Sequence, residues 1–334
     1  MRIRTALIPV ALLAAAAAGG IGWSQSTPSL NARMAGDISP VHDPAIQKQG
    51  DTYYLFSTSQ EHEGKGLIHV RTSKDLANWT RAAPVFAAMP GWAREAVPGT
   101  RGIWAPDISR TGGEYRLYYS VSTFGKNRSA IGLATSPSLE KPVWTDKGAV
   151  MRSDSRDDFN AIDPNVFDDA EGRQWMVFGS FWTGIKMVRL DPATGMRSAE
   201  DGRIHSLARR RSPGAVEAPF VIRRGGYYYL FVSFDFCCRG AKSSYYTVVG
   251  RSEAPTGPYR DREGRDMMDG GGFPVLHASL DDTGRFVGPG HPAILAESGR
   301  HFIVYHAYDV QKDGAPTLRI QPLGWSSDGW PVAL

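Results

Sequence analysis

Cysteine is nearly absent: the chain has two in 334 residues, and they are neighbours, Cys237 and Cys238 in "FDFCCRG". Adjacent thiols close no long loop, which excludes a disulfide framework as the source of stability. A structural zinc site is excluded for a related reason, since it needs four ligands and no second cysteine cluster exists. Neighbouring Cα atoms lie about 3.8 Å apart, short of the usual span of a bridge, so the pair reads as structural residues lining a pocket. A large charge excess is missing too. The 38 Lys and Arg stand against 34 Asp and Glu for a net charge of +4, and loss of Arg2 and Arg4 with a leader would lower it to +2. The one basic triplet, Arg209 to Arg211, reads as a solvated loop. A nucleic-acid partner is therefore not indicated.

Low-complexity linkers are also lacking after about residue 35, so the chain reads as one domain to its end. What is abundant is turn and ring: 37 Gly, 22 Pro, 9 Trp, 13 Tyr and 14 Phe favour many short strands over a helical bundle. The N-terminus, "MRIRTALIPVALLAAAAAGGIGWSQSTPS", carries two Arg, an apolar run and then small residues. That order predicts a secretory signal peptide over residues 1–26, hence a secreted or periplasmic protein. An uncleaved anchor over Thr5 to Trp23 is the rival, weakened by its many Ala and Gly residues.

One phrase recurs five times. "HDPAIQKQGDTYYLFSTS", "WAPDISRTGGEYRLYYSVS", "IDPNVFDDAEGRQWMVFGSF", "EAPFVIRRGGYYYLFVSF" and "GHPAILAESGRHFIVYHAY" each hold a Pro, an apolar position, a turn and an aromatic-rich strand. The prolines are Pro44, Pro106, Pro164, Pro219 and Pro292. Such a period indicates units that cannot bury their faces alone. Each second strand is apolar on both faces, as Tyr53 to Ser57 illustrates, which suits sheets sandwiched between neighbours. The fold predicted is all-β, a five-bladed β-propeller over residues 35–334. A β-sandwich or a right-handed β-helix is the competing arrangement.

In a radial array the residues beside the five prolines converge on the axis. Those residues are Asp43, Trp104 with Asp107, Asp163, Glu217 and His291. A purely structural motif would tend to repeat one capping residue, whereas here the residue changes from blade to blade. Three carboxylates aimed at one funnel repel each other unless function compensates. Glycoside hydrolysis uses such a set, with a protonated acid for the leaving oxygen and an ionised base for water. Trp104, Phe124 and Trp182 would then be sugar platforms, although core packing or strand capping explains any one of these residues taken singly.

The stretches "WAPDIS", "YYSVSTFGKNRSAIGLATS", "NAIDPNVFDD", "MVFGSFWTGIKMVRLD", "FVSFDFCCRG", "GPGHPAIL" and "VYHAYD" together resemble the endo-α-1,5-L-arabinanases of glycoside hydrolase family 43, from about Val41 to Pro331. The resemblance implies cleavage of internal α-1,5 linkages of arabinan and arabino-oligosaccharides with inversion, by a monomer that binds neither nucleic acid nor, once its leader is gone, a membrane. It implies Asp43 as general base, Glu217 as general acid and Asp163 as the carboxylate that orients the acid and raises its pKa. Gly125, Asn160, Ala161, Ile162, Ser180, Phe181 and Trp182 resemble substrate-contacting positions, beside Trp104 and Phe124. His291 resembles a channel histidine associated with one metal ion, usually calcium; the Pro that follows it departs from the Asn of many relatives. Calcium prefers oxygen ligands, so an ion there would be mostly water-coordinated. Asp43 should lie in a wet, hydrogen-bonded place, and Glu217 beside a negative neighbour or an apolar wall. Exo-acting arabinofuranosidases or β-xylosidases share this fold but often add a C-terminal β-sandwich, and the end at Leu334 favours an open, endo-acting groove. A non-catalytic sugar-binding propeller would have lost the carboxylates.

Overall fold

The computed structural model describes residues 28–334, and the leader expected over 1–26 lies outside them. Five sheets follow one another along the chain. Blade one comprises Ala45–Gln49, Thr52–Ser57, His69–Ser73 and Asn78–Ala82; blade two Gly102–Thr111, Glu114–Val121, Ser129–Ser136 and Thr145–Ser153. Blade three comprises Asn165–Asp168, Gln174–Phe178, Ile185–Arg189 and His205–Ala208; blade four Val216–Arg224, Tyr227–Phe234, Tyr246–Ser252 and Phe273–Leu276. Blade five is built from Phe286–Glu297, Arg300–Asp309, Ala315–Trp325 and Pro331–Ala333. Within each blade the four strands pair antiparallel in chain order, with short outliers at Ala35–Gly36 and Ser59–Gln60 on the first two sheets. The five-bladed propeller is therefore the fold. Among the described residues no helix is long and apolar enough to cross a membrane.

The two apolar faces of each second strand serve two different neighbours. Tyr228, Leu230, Val232 and Phe234 pack with blade three. Tyr229 and Phe231, pointing the other way, pack with blade five. The same division holds around the ring, so the core is a set of layers between blades, the last joining Ile46, Tyr53 and Leu55 of blade one to Val304, Leu318 and Ile320 of blade five. Among the described residues no strand of one terminus completes the blade of the other. Instead the segment before blade one crosses onto blade five, where Val41 N–H donates to Pro316 O at 2.9 Å and Leu318 N–H to Ile38 O at 2.9 Å. The triplet at Arg209 to Arg211 is less solvated than its charge suggests, because Arg210 pairs with Asp235 at 2.5 Å and lies over the Phe234 ring.

Candidate active site

Every inner strand is kinked at the same place. The residue before each of the five prolines has a left-handed backbone: Asp43, Ala105, Asp163, Ala218 and His291 have φ between 43° and 58°. Left-handed backbone costs an L-residue about 1–2 kcal/mol, and a following proline already restricts its neighbour. The kink interrupts the ladder in the manner of a bulge, as the register shifts at Trp104/Asp107, Glu217/Phe220 and Gly290/Ala293 record. It also leaves an N–H without a ladder partner, and a buried N–H must find one.

The partner comes each time from the preceding blade. Ala105 N–H donates to Thr58 Oγ1 at 2.8 Å, Asp163 N–H to Ser120 Oγ at 2.9 Å, and His291 N–H to Ser233 Oγ at 2.9 Å. Asp43 N–H closes the circle on His306 Nδ1 at 3.1 Å. At the remaining junction the acceptor is a carboxylate, because Ala218 N–H donates to Asp163 Oδ2 at 3.1 Å. Asp163 thereby fastens the backbone just after Glu217.

Asp43, Asp163, Glu217 and His291 thus meet at one end of the axis, all nearly buried. The Asp43 carboxylate accepts from Thr58 Oγ1 at 2.5 Å, His42 Nδ1 at 2.8 Å and His291 Nδ1 at 3.0 Å. Burial opposes its charge, yet the two imidazoles hold it well below the usual carboxylate range. The expectation of a wet setting is corrected: Asp43 is only 8 % exposed, and histidines replace water as the source of its ionisation. Glu217 accepts from Ser180 Oγ at 2.6 Å, and burial raises it. Burial also lifts Asp163, to about 8, with the Glu217 carboxylate contributing. Asp163 was expected to raise Glu217; in the structure burial and the Asp43 carboxylate raise Glu217, and Glu217 in turn raises Asp163, so the pair retains a proton above the ordinary range.

Trp104 is half-buried with an unpartnered indole N–H. Phe124 is 83 % exposed and Trp182 41 % exposed, both on loops at the site's end of the strands, with Gly125 turning left-handed after Phe124. Phe181 lies against Phe236. The run before Asp163 is tied into the fold. Asn160 is buried and accepts from Ser129 Oγ at 2.7 Å, while Ile162 O accepts from Gly179 N–H at 2.8 Å. Ala161 has no exposed surface and packs with Phe159 and Val166, so its methyl offers no contact to a ligand. Asp107 does not join the site either. It accepts from Val166 N–H at 2.8 Å and Asn165 Nδ2 at 3.1 Å and faces the channel beneath, a cavity of about 180 Å³.

Residues the sequence did not single out complete the wall. Tyr245 lies against Gly290, where a Cβ would come within 2.2 Å of the ring, and its buried hydroxyl near Glu217 makes no well-formed hydrogen bond among the described residues. His42 stacks on His306 with centroids 3.9 Å apart. Cys237 and Cys238 are bonded to each other, which corrects the reading from Cα spacing, and Cys238 Sγ lies 3.7 Å from His42 Nε2. The phrase "VHDP", with a histidine beside the acid, was the available signal for His42; Tyr245 sits in "SSYYTVVG", indistinguishable from core.

A propeller whose axis gathers one ionised carboxylate and a carboxyl pair that retains a proton has the equipment of a glycoside hydrolase. The model of glycosyl hydrolases family 43 matches residues 38–331. The chain is 42% identical to the extracellular endo-α-(1→5)-L-arabinanase 1 of Bacillus subtilis strain 168, with 95% of each chain covered. It is equally 42% identical to the extracellular exo-α-(1→5)-L-arabinofuranosidase ArbA of Cellvibrio japonicus, over 87% of this chain and 85% of that one. The solved structure of a family 43 endo-arabinanase from Bacillus licheniformis superposes with a TM-score of 0.83 at 44% identity, covering 90% of this chain and 99% of that one. The chain belongs to glycosyl hydrolase family 43.

The ring of N–H bonds makes a stability prediction. Ser120→Ala strands the buried N–H of Asp163, which should cost about 1–3 kcal/mol. In urea the midpoint should fall with an unchanged slope, and kcat should fall with it because Asp163 is loosened. An unchanged midpoint would show that the bond contributes nothing.

Proposed function

We propose that the chain is a secreted arabinanase that cleaves internal α-1,5-L-arabinofuranosidic linkages with inversion, with Asp43 as base and Glu217 as acid. The observation that carries the assignment of roles is the opposite ionisation of equally buried carboxyls. Asp43 is kept charged by His42 and His291, ready to take a proton from water, whereas Glu217 and Asp163 are lifted by burial. Asp163 is a positioning residue: it grips the Ala218 N–H beside the acid and shares its field. Ser180 holds the Glu217 carboxyl from the other side. Phe124 and Trp182 offer exposed rings to sugar faces, and the free indole N–H of Trp104 suits a hydroxyl. Arg2 and Arg4 before the apolar run support secretion, as does the extracellular naming of both relatives.

Endo action rests on the exposed aromatic loops. Exo action is the second reading, favoured by the equal identity to the Cellvibrio enzyme. Early products from linear arabinan decide between them: endo action gives a spread of long oligosaccharides, and arabinose or one short oligomer alone would overturn it.

We further read His291 as the ligand of one mostly hydrated cation, calcium by family resemblance. The donor set fits this narrowly. Both His42 nitrogens are engaged, and His306 accepts at Nδ1, so its proton sits on Nε2. His291 Nε2 has no protein partner among the described residues, while Nδ1 is held by Asp43, the arrangement that orients ligating imidazoles. Without an ion, burial works against charge on His291 but Asp43 overrides it and lifts the imidazole to about 9. A cation or a proton at Nε2 thus places positive charge beside Asp43 in either case. Chelation should lower activity or thermal stability without unfolding the propeller. Metal-free purified protein indifferent to chelator would remove the ion from the account.

Glu217→Gln should cost about 10²- to 10⁴-fold on arabinan, whose leaving alkoxide needs a proton, and far less on an aryl arabinoside that departs as phenolate. Equal losses would mean that Glu217 is not the donor.

The pH profile tests Asp163. Both members of the pair are raised, so activity that needs the protonated acid persists above the ordinary carboxylate range and is lost as pH rises through the pair's upper pKa. Asp163→Asn removes the negative neighbour and should move the alkaline limb of kcat/KM down by about one unit or more. A limb that stays put or moves up contradicts this role.

A further inference from the structure

The bonded cysteines stand at the head of a hydrogen-bond chain that runs to Asp43. Cys238 N–H donates to Tyr308 Oη at 2.7 Å, Tyr308 Oη lies 2.8 Å from His42 Nε2, and His42 Nδ1 lies 2.8 Å from Asp43 Oδ1. The first member of this chain is a backbone amide, which only donates. Tyr308 therefore accepts from Cys238, and its own proton is left to point at His42 Nε2 or at Ser243. A neutral His42 so engaged carries its proton on Nδ1, where it donates to the carboxylate.

The geometry around the chain supports a built device. Cys238 is left-handed, with φ of 66°, and the bond to Cys237 locks the turn that aims its N–H. Tyr308 is buried at 2 % exposure and lies edge-on to His306 at 5.3 Å. The His42 ring is clamped by stacking on His306, the residue that accepts the Asp43 N–H. Asp43 is thus gripped at its amide by His306 and at its carboxylate by His42, and both imidazoles are set by blade five and the cysteine turn.

We propose that the Cys237–Cys238 turn and Tyr308 are positioning elements that fix the Nδ1–H tautomer of His42 and thereby hold the Asp43 carboxylate in its working orientation. The inference rests on the reading of Asp43 as base. It assigns the cysteine pair a place in the reaction that neither fold stability nor sugar contact requires.

The test uses the full mature protein with ¹⁵N-labelled histidine, His42 being assigned by the signal lost in His42→Asn. Wild type should show His42 as the Nδ1–H tautomer, and Tyr308→Phe should move it toward Nε2–H. An Nε2–H tautomer in wild type, or protons on both nitrogens, would overturn the relay without any variant. In kinetics, Tyr308→Phe and the double change Cys237→Ser with Cys238→Ser should each lower kcat roughly 10- to 100-fold, with KM nearly unchanged. The changes combined should do no more harm than Tyr308→Phe alone, since members of one chain are not additive; fully additive losses would overturn the link between the cysteines and Tyr308. His42→Asn keeps a donor near Nδ1 and should retain more activity than His42→Gln, whose amide sits near Nε2; the reverse order counts against the proposal. A tautomer shift in Tyr308→Phe with unchanged kcat would uphold the relay and overturn Asp43 as base, which keeps the two ideas separable.

Discussion

A left-handed residue before proline cannot stay in a β-ladder, and in this propeller that prohibition occurs five times on one circle. Each reversal turns its residue toward the axis and leaves an N–H that only the preceding blade can satisfy. The hydrogen bonds that result, through His306, Thr58, Ser120, Asp163 and Ser233, are therefore at once the stitching of the ring and the mounting of the site. Strain of this kind persists where surrounding structure over-determines it. Here the apolar layers between blades supply that determination, so the site inherits the rigidity of the whole ring.

The same constraint explains why much of the site was legible in the sequence. A Pro phrase repeated with a changing polar residue announces both the blade count and the residues brought to the axis, and the two apolar faces of strands such as Tyr227–Phe234 announce the sandwiching. The acceptors were not legible. A Ser at the end of a second strand, like Ser120 or Ser233, looks like any strand residue, and only the crossing between blades reveals its partner. Ala161 misled because a run flanking a functional acid was read as contacting ligand, whereas its turn is packed inward to present Asp163. Asp107 misled by proximity to Pro106: one position past the kink, the chain has returned to the ladder and the side chain faces the lower channel.

Burial alone would have raised all three carboxyls, and sequence reasoning had water keep Asp43 charged. The structure uses imidazoles instead. His42 and His291 lie within 3.0 Å of Asp43 Oδ1, on a residue only 8 % exposed, so Asp43 is held ionised in a place dry enough to strengthen the field of its charge. Across the axis, among the described residues, Glu217 and Asp163 are bonded to a hydroxyl and an amide and to no imidazole. One fold thus separates two ionisation states by which blades carry histidine.

That separation bears on why endo- and exo-acting relatives reach the same 42% identity. The kinks, their acceptors and the histidines belong to inner and second strands, which no change of product pattern needs to touch. The loops that carry Phe124 and Trp182 lie farther out, where side chains stand 83 % and 41 % exposed and contribute little to the layers between blades. Such loops vary at low cost to stability. The buried carboxyls and the exposed aromatic loops therefore occupy different radial shells of the molecule, and only the inner one is tied into the ring that holds the blades together.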